Sequence, residues 1–163
     1  VKELLLFVSR ELVQRAAVGK RTSVTHQDYT AHCYVRTSQL AVVVITDHEY
    51  PATVAYKAVH SAFEQFEQAH AATTWLAATA DTQLAVPAHA ELLADFADPA
   101  RVDRVLAVQK EVDETIDIVE TTIEKLLDRQ ETIDELIEHS ADLRMQTKAF
   151  AKSSRKVNCR QRF

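Results

Sequence analysis

The sequence predicts an α+β domain followed by a long amphipathic helix, and three observations lead to this fold class. Residues 29–36 alternate apolar and polar side chains, and residues 40–45 form an unbroken run of apolar strand formers. Helix-forming stretches lie on both sides of these strands, and only one glycine occurs in 163 residues. From residue 102 to residue 157, apolar side chains recur in alternating steps of three and four.

Residues 1–18 are predicted to form an amphipathic helix, which Gly19 ends as a C-terminal cap. Leu4 and Phe7 widen its apolar face beyond a single stripe. That face either packs into the core of the domain or provides a second docking surface. The stripe consists of Val1, Leu5, Val8, Leu12 and Ala16.

Three strands are predicted next. The strand at 29–36 is half-buried, with Cys33 on its buried face, and a hairpin through residues 37–39 leads into the apolar run at 40–45. An unbroken apolar strand indicates a central position covered on both faces. A weaker strand is expected at 21–26.

A second helix opens at Pro51, because proline suits the first helical position. An irregular stretch follows to about residue 86, then a short helix from Pro87 to residue 96, and a linker at Asp98 and Pro99. Residues 1–97 are therefore predicted to form one α+β domain. The apolar face of the second helix comprises Ala55, Val59, Ala62, Phe63 and Phe66.

The repeat after residue 102 has the a/d pattern of a coiled-coil seam, and Arg129 is its one charged member. A charge in such a seam is costly unless partners satisfy it, so its expected role is to set register and partner choice. One helix cannot bury this seam alone, and we expect it to be partly disordered as a monomer and to reach about 80 Å when folded with partners. The apolar seam positions are Val105, Val108, Val112, Val119, Leu126, Ile133, Leu136, Leu143, Phe150 and Val157.

Charge is distributed unevenly along this segment. Thirteen acidic residues face four basic ones between positions 102 and 142, whereas seven basic residues and no acidic residue follow. The basic end matches either the helix macrodipole or attraction to an anionic membrane surface. The acidic body disfavours nucleic-acid binding.

Enzyme, metal and cofactor functions find no support in the sequence. It contains no glycine-rich phosphate loop, HExxH motif or nucleophile elbow, and its seven histidines are scattered without the spacing of metal ligands. No apolar stretch approaches the roughly 20 residues that span a bilayer, and no secretory signal is visible. Two cysteines far apart in the sequence argue against a disulfide framework and favour the cytosol.

Three segments carry a resemblance to a known family. VQKEVDETIDIVETTIEKLLDRQETIDELIEHSADL resembles the R-SNARE motif of the synaptobrevin family, with Arg129 at the central ionic layer. SVTHQDYTAHCYVRTSQLAVVVITDHEYP resembles the profilin-like longin domain of the YKT-type R-SNAREs, and TKAFAKSSRKVN continues the match. The resemblance implies a longin domain at 1–97, a SNARE motif at 98–157 and a basic tail at 158–163.

The resemblance also implies a function and its partners. The motif is expected to form a parallel four-helix bundle with three Q-SNARE helices and to drive vesicle docking and fusion, with recycling by the family's ATP-driven disassembly machinery. Leu4 and Phe7 are expected to dock the motif on the longin domain in a closed form. Two alternatives stay open, an unanchored regulator that occupies Q-SNARE partners and a homomeric coiled-coil tether.

Two departures from the family pattern concern the ends of the chain. The chain starts at Val1 inside a predicted helix, so we expect the family's first β-hairpin, which would pair beside residues 40–45, in a longer protein. Arg160 occupies the usual prenyl position, which leaves Cys159 as a palmitoylation candidate or a plain exposed thiol. The expected location is the cytosol and the cytoplasmic face of endoplasmic reticulum, Golgi, endosomal or vacuolar membranes.

Overall fold

The computed structural model describes residues 2–106, 117–128 and 130–160, and for residues 103–106 and 154–160 it describes the backbone alone. Its centre is a four-stranded sheet in the order β3-β2-β1-β4. The fold class is α+β, as predicted. The strands are β1 (Arg21–His26), β2 (Tyr29–Val35), β3 (Ala41–Asp47) and β4 (Ile118–Thr122).

Eight helices surround the sheet in the described residues. The predicted helices at the N-terminus, after Pro51 and after Pro87 are all present, and a short helix also forms within the stretch that was predicted to be irregular. The helices are α1 (Lys2–Arg15), α2 (Ala52–Ala69), α3 (Ala72–Leu76), α4 (Ala88–Asp95), α5 (Pro99–Leu106), α6 (Ile123–Leu126), α7 (Ile133–His139) and α8 (Met145–Arg160).

Gly19 does not cap α1, which ends four residues earlier. It lies in the turn before β1 with φ +77°, and its N–H donates to the Val35 carbonyl 2.8 Å away. An L-residue adopts this backbone region only at a cost, so glycine is favoured at this position.

β3 is an edge strand in the described sheet and not the central strand that its apolar run predicted. It pairs with β2 in antiparallel register, Val43 opposite Cys33, and its side chains are half-buried. A cavity of about 380 Å³ lies between β3, α2 and α4. The apolar run is explained by two helical layers, because alternate β3 side chains contact clusters on opposite faces of the sheet.

α2 covers one face of the sheet. Tyr56, Val59 and Phe63 are at most 2% exposed and pack on Tyr34 and the alternate side chains of β3. Ala55, Val59, Ala62 and Phe63 of the predicted apolar face are buried, and Phe66 is half-buried.

A chain of buried polar groups runs beneath α2. His32 Nε2 lies 3.1 Å from Thr46 Oγ1, which itself donates to the Asp47 carbonyl, so the hydroxyl accepts from His32. His32 Nδ1 is therefore the acceptor for Ser23 Oγ at 2.9 Å, and Tyr56 Oη in turn donates to Ser23 at 3.1 Å. Burial lowers the pKa of His32 to about 4, so the ring is neutral near pH 7.

Residues after 102 do not form one continuous helix in this single chain. The described residues of that region form, in chain order, the end of α5, then β4, α6, α7 and α8. β4 coincides with a run rich in β-branched residues, which favour strands. A lone amphipathic rod would leave its apolar residues in water, and folding back against the sheet removes them from water instead.

Candidate functional site: an intramolecular docking surface

The candidate functional site is the surface on which residues 117–160 pack against the N-terminal part of the chain. It has two components, the free edge of β1 and the face of the sheet that also carries α1. We call this the docking surface and residues 117–160 the docked segment.

The first contact is made by the backbone. β4 adds to the edge of β1 as a parallel strand, with Arg21 opposite Ile118 and Thr25 opposite Thr122. Pairing of this kind satisfies the backbone groups of an otherwise exposed edge and is a common mode of segment recognition. Ile118 then contacts the α2 side of the sheet.

The second contact is apolar. Phe7 and Leu12 of α1 and Val24, Ala31, Cys33 and Val35 of the sheet form one cluster with buried residues of the docked segment. Leu4, Val8 and Val43 are half-buried against the same cluster. The docked segment therefore completes the core of this face. Its buried members are Ile123 (1% exposed), Leu127 (6%), Ile133 (4%), Ile137 (9%) and Leu143 (7%).

Polar contacts join α1 to the docked segment at both ends of the helix. Glu3 accepts from Thr147 Oγ1 at 2.6 Å and pairs with Arg144 Nε at 3.0 Å. The hydrogen bond from Thr147, followed by the Arg144 charge, lowers the pKa of Glu3 although desolvation opposes the shift. Arg15 pairs with Glu131 at 3.2 Å at the other end.

A capping box fixes the start of α7 within the docked segment. The Thr132 hydroxyl accepts from the Glu135 backbone N–H at 3.3 Å, and the Glu135 carboxylate accepts from the Thr132 N–H at 3.1 Å. This reciprocal pair satisfies two amides that have no partner inside the helix. It sets where α7 begins, and so places Ile133 and Ile137 toward the docking surface.

The predicted site residues fall into three groups. Leu4 and Phe7 lie in the docking surface, half-buried and 9% exposed. Of the predicted seam, Ile133 and Leu143 are buried, Leu126 and Leu136 are half-buried, and Val119 and Phe150 are 43% and 45% exposed. Outside the described residues or side chains lie Arg129, Val105, Val108, Val112, Val157 and Cys159.

Sequence reasoning missed β4 and three apolar residues of the docking surface. Ile123, Leu127 and Ile137 are buried but lie outside the a/d pattern, so the predicted seam does not include them. The signal was present, because apolar side chains off the seam have no role in a simple coiled coil. The β-branched run at 118–123 was the corresponding signal for β4.

In the part of the chain that the structure describes, no helix is both long enough and apolar enough to cross a membrane.

Comparison with known proteins agrees with this architecture. A synaptobrevin family model matches residues 104–163, and a regulated-SNARE-like (longin) domain model matches residues 1–87. The putative synaptobrevin homolog YKT6 of Dictyostelium discoideum is 39% identical over 160 residues, covering 97% of this chain and 79% of that protein. VAMP-like protein YKT61 of Arabidopsis thaliana is 35% identical over 158 residues, covering 97% and 78%.

A third relative, the synaptobrevin homolog YKT6 of Yarrowia lipolytica, is 35% identical over 159 residues, covering 97% of this chain and 80% of that protein. These matches span both the sheet domain and the docked segment. The chain therefore belongs to the YKT6-type family of longin SNAREs, which are non-enzymatic proteins of vesicle traffic.

Proposed function

We propose that this chain is an R-SNARE that docks and fuses vesicles by assembling with three Q-SNARE helices into a parallel four-helix bundle. The regular seam from Val105 to Val157 supplies the apolar layers, and Arg129 supplies the central ionic layer. A guanidinium offers five donors, which can satisfy one glutamine amide from each of three partner helices. The longin domain is assigned to residues 1–97 and the SNARE motif to 98–157.

The proposal includes autoregulation by the longin domain. The observation that carries it is the burial of Ile133 and Leu143 in the docking surface at 4% and 7% exposure. Both are also predicted layers of the bundle, and one side chain cannot fill both sites at once. Docking and assembly therefore compete, and Leu4 and Phe7 hold the closed form by packing in the same cluster.

Membrane attachment is assigned to the C-terminal end. Cys159 is the candidate acylation site, and the basic tail at 158–163 adds attraction to anionic lipid. One acyl chain alone binds membranes marginally, so both signals are needed for stable attachment. The protein would cycle between the cytosol and the cytoplasmic faces of endoplasmic reticulum, Golgi, endosomal or vacuolar membranes, with the SNARE disassembly machinery as a further partner.

Substitution of the ionic-layer residue tests the assembly. The chain is mixed with three Q-SNARE helices, and the melting temperature of the complex is measured for Arg129→Ala and for Arg101→Ala, an exposed arginine of α5. Arg129→Ala leaves three buried amides without a donor, each at a cost of about 1–3 kcal/mol. We expect a clearly lower melting temperature for Arg129→Ala alone.

Two outcomes contradict the proposal. The first is a complex whose melting temperature does not distinguish the two variants. The second is a chain that never joins Q-SNARE helices and forms only oligomers of itself, which would favour a homomeric tether.

A further inference from the structure

The side chains that the docked segment buries coincide only in part with those that the predicted bundle needs. Ile133 and Leu143 belong to both sets. Between residues 117 and 128, the seam residue Val119 is 43% exposed, and Thr122, the polar residue at the next seam step three positions after Val119, is also exposed. Off the seam, Ile123 and Leu127 are 1% and 6% exposed in the docking surface. In this stretch both buried apolar side chains are off-seam residues, and the seam residue Leu126 is half-buried against the same cluster.

Helical geometry defines how far off the seam these residues lie. Successive residues of an α-helix are separated by about 100° around the axis, so a residue that follows a seam position points well away from it. Leu127 follows Leu126 and occupies a b position, on the outer face of a bundled helix. Ile123 and Ile137 follow Thr122 and Leu136 and occupy e positions at the flank of the seam.

An apolar side chain at a b position is unexplained by the bundle alone. Charged and polar residues normally occupy that face. The other b positions of this segment are four charged residues and one small residue: Glu120, Asp134, Lys148, Arg155 and Ala141. Leu127 has a partner only in the closed chain, where it packs in the cluster that contains Phe7, Leu12 and Cys33.

We propose that the SNARE motif carries, beside the seam that serves Q-SNARE helices and in part also docking, an off-seam apolar set centred on Leu127 that serves docking on the longin domain alone. This proposal rests on the proposed function only for the role of the seam in Q-SNARE assembly. Leu127 is a specificity-determining residue of the closed form, and Ile123 and Ile137 contribute from the flank. Val119 belongs to the seam and contributes little to docking, because it is exposed in the closed chain.

The seam set and the off-seam set predict opposite behaviour for two matched variants, Val119→Asn and Leu127→Gln. Leu127→Gln keeps a good helix former on the outer face of the bundle, but places a polar amide in the docking cluster. Loss of one buried leucine shifts the closed-to-open ratio about 10- to 100-fold toward open. Val119→Asn leaves the exposed position in the closed chain polar and puts an amide into an apolar layer of the bundle.

The experiment measures three quantities for the full chain. Limited proteolysis of residues 117–160 reports opening, the rate of joining three Q-SNARE helices reports competition, and the melting temperature of the complex reports the seam. Fluorescence of Trp75, which packs on Phe66 in the longin domain 5.5 Å away, checks that the domain itself stays folded. Ile137→Gln repeats the test at a flank position in case Leu127→Gln disturbs that fluorescence.

We expect Leu127→Gln to be cleaved at least tenfold faster and to join partners faster, with a complex as heat-resistant as that of the original chain. Val119→Asn should be cleaved at the original rate and give a less stable complex. The inference is overturned if Leu127→Gln and Ile137→Gln are cleaved at the original rate, or if their complexes lose as much stability as that of Val119→Asn. If the original chain forms no complex, the proposed function fails. The cleavage rates still show whether the off-seam residues hold the docked segment on the longin domain.

Discussion

The contribution of Phe7 to the closed form can be tested quantitatively. Its side chain is 9% exposed and lies in the cluster that unites α1, the sheet and the docked segment. Replacing a buried phenylalanine by alanine costs about 3–5 kcal/mol, from lost transfer free energy and the cavity left behind. A loss of 3 kcal/mol from the docked state alone would raise the open fraction more than a hundredfold.

Leu6→Ala is the matched control. Leu6 is the neighbouring residue of the same helix and is 48% exposed, so its truncation removes a similar side chain without opening the cluster. Single apolar residues at a surface contribute little to stability, and we expect no measurable opening for Leu6→Ala.

The assay uses Cys33, which the docking surface covers. Cys33 is fully buried in the same cluster, and burial raises its pKa to about 11, so its thiol should react slowly with an alkylating reagent in the closed chain. In a Cys159→Ser background, alkylation of Cys33 reports opening. Phe7→Ala should accelerate it strongly, and equal rates for Phe7→Ala and Leu6→Ala would refute the reasoning.

Three further predictions concern stability and the opening of the docked segment. His32 has a folded-state pKa of about 4 against 6.5 unfolded, so stability is complete above about pH 6.5 and falls by about 3 kcal/mol as pH drops to 4; urea titrations should show this slope, and His32→Asn should lack it. Gly19→Ala should cost about 1 kcal/mol in urea unfolding, from its positive φ alone, because no atom lies within 4 Å of the added Cβ. Arg15→Gln and Glu131→Gln should each accelerate Cys33 alkylation only slightly, because partly exposed ion pairs contribute about 0–1 kcal/mol. A tenfold acceleration would contradict this prediction.

Much of the longin domain could be predicted from local patterns. The alternation in β2, the proline before α2 and the proline before α4 each act within a few residues, and the structure places those elements within a few residues of the prediction. The position of β3 at the edge of the described sheet could not be predicted this way. An apolar run indicates two covered faces, but helices can cover both faces of an edge strand as well as of a central one.

Less of the docking surface than of the longin domain could be predicted from the sequence. Periodicity singled out Ile133 and Leu143, but it left Ile123, Leu127 and Ile137 without a role. A repeat of threes and fours describes the neighbours that a residue has on one helix, and these side chains find their neighbours on α1 and the sheet. Arg15 and Glu131 are 116 positions apart, so no local pattern connects them.

Amino-acid order alone was enough to indicate an α+β domain, a seam with one arginine, and the family to which the chain belongs, because all three are written in short-range spacing. Whether residues 118–122 form a strand or a helix depended on the surroundings. Their β-branched side chains permit both structures. The edge of β1 supplies backbone hydrogen-bond partners and also buries the added strand, whereas an isolated helix would leave its apolar side chains in water. The closed arrangement arises from that long-range competition for apolar surface and backbone hydrogen bonds.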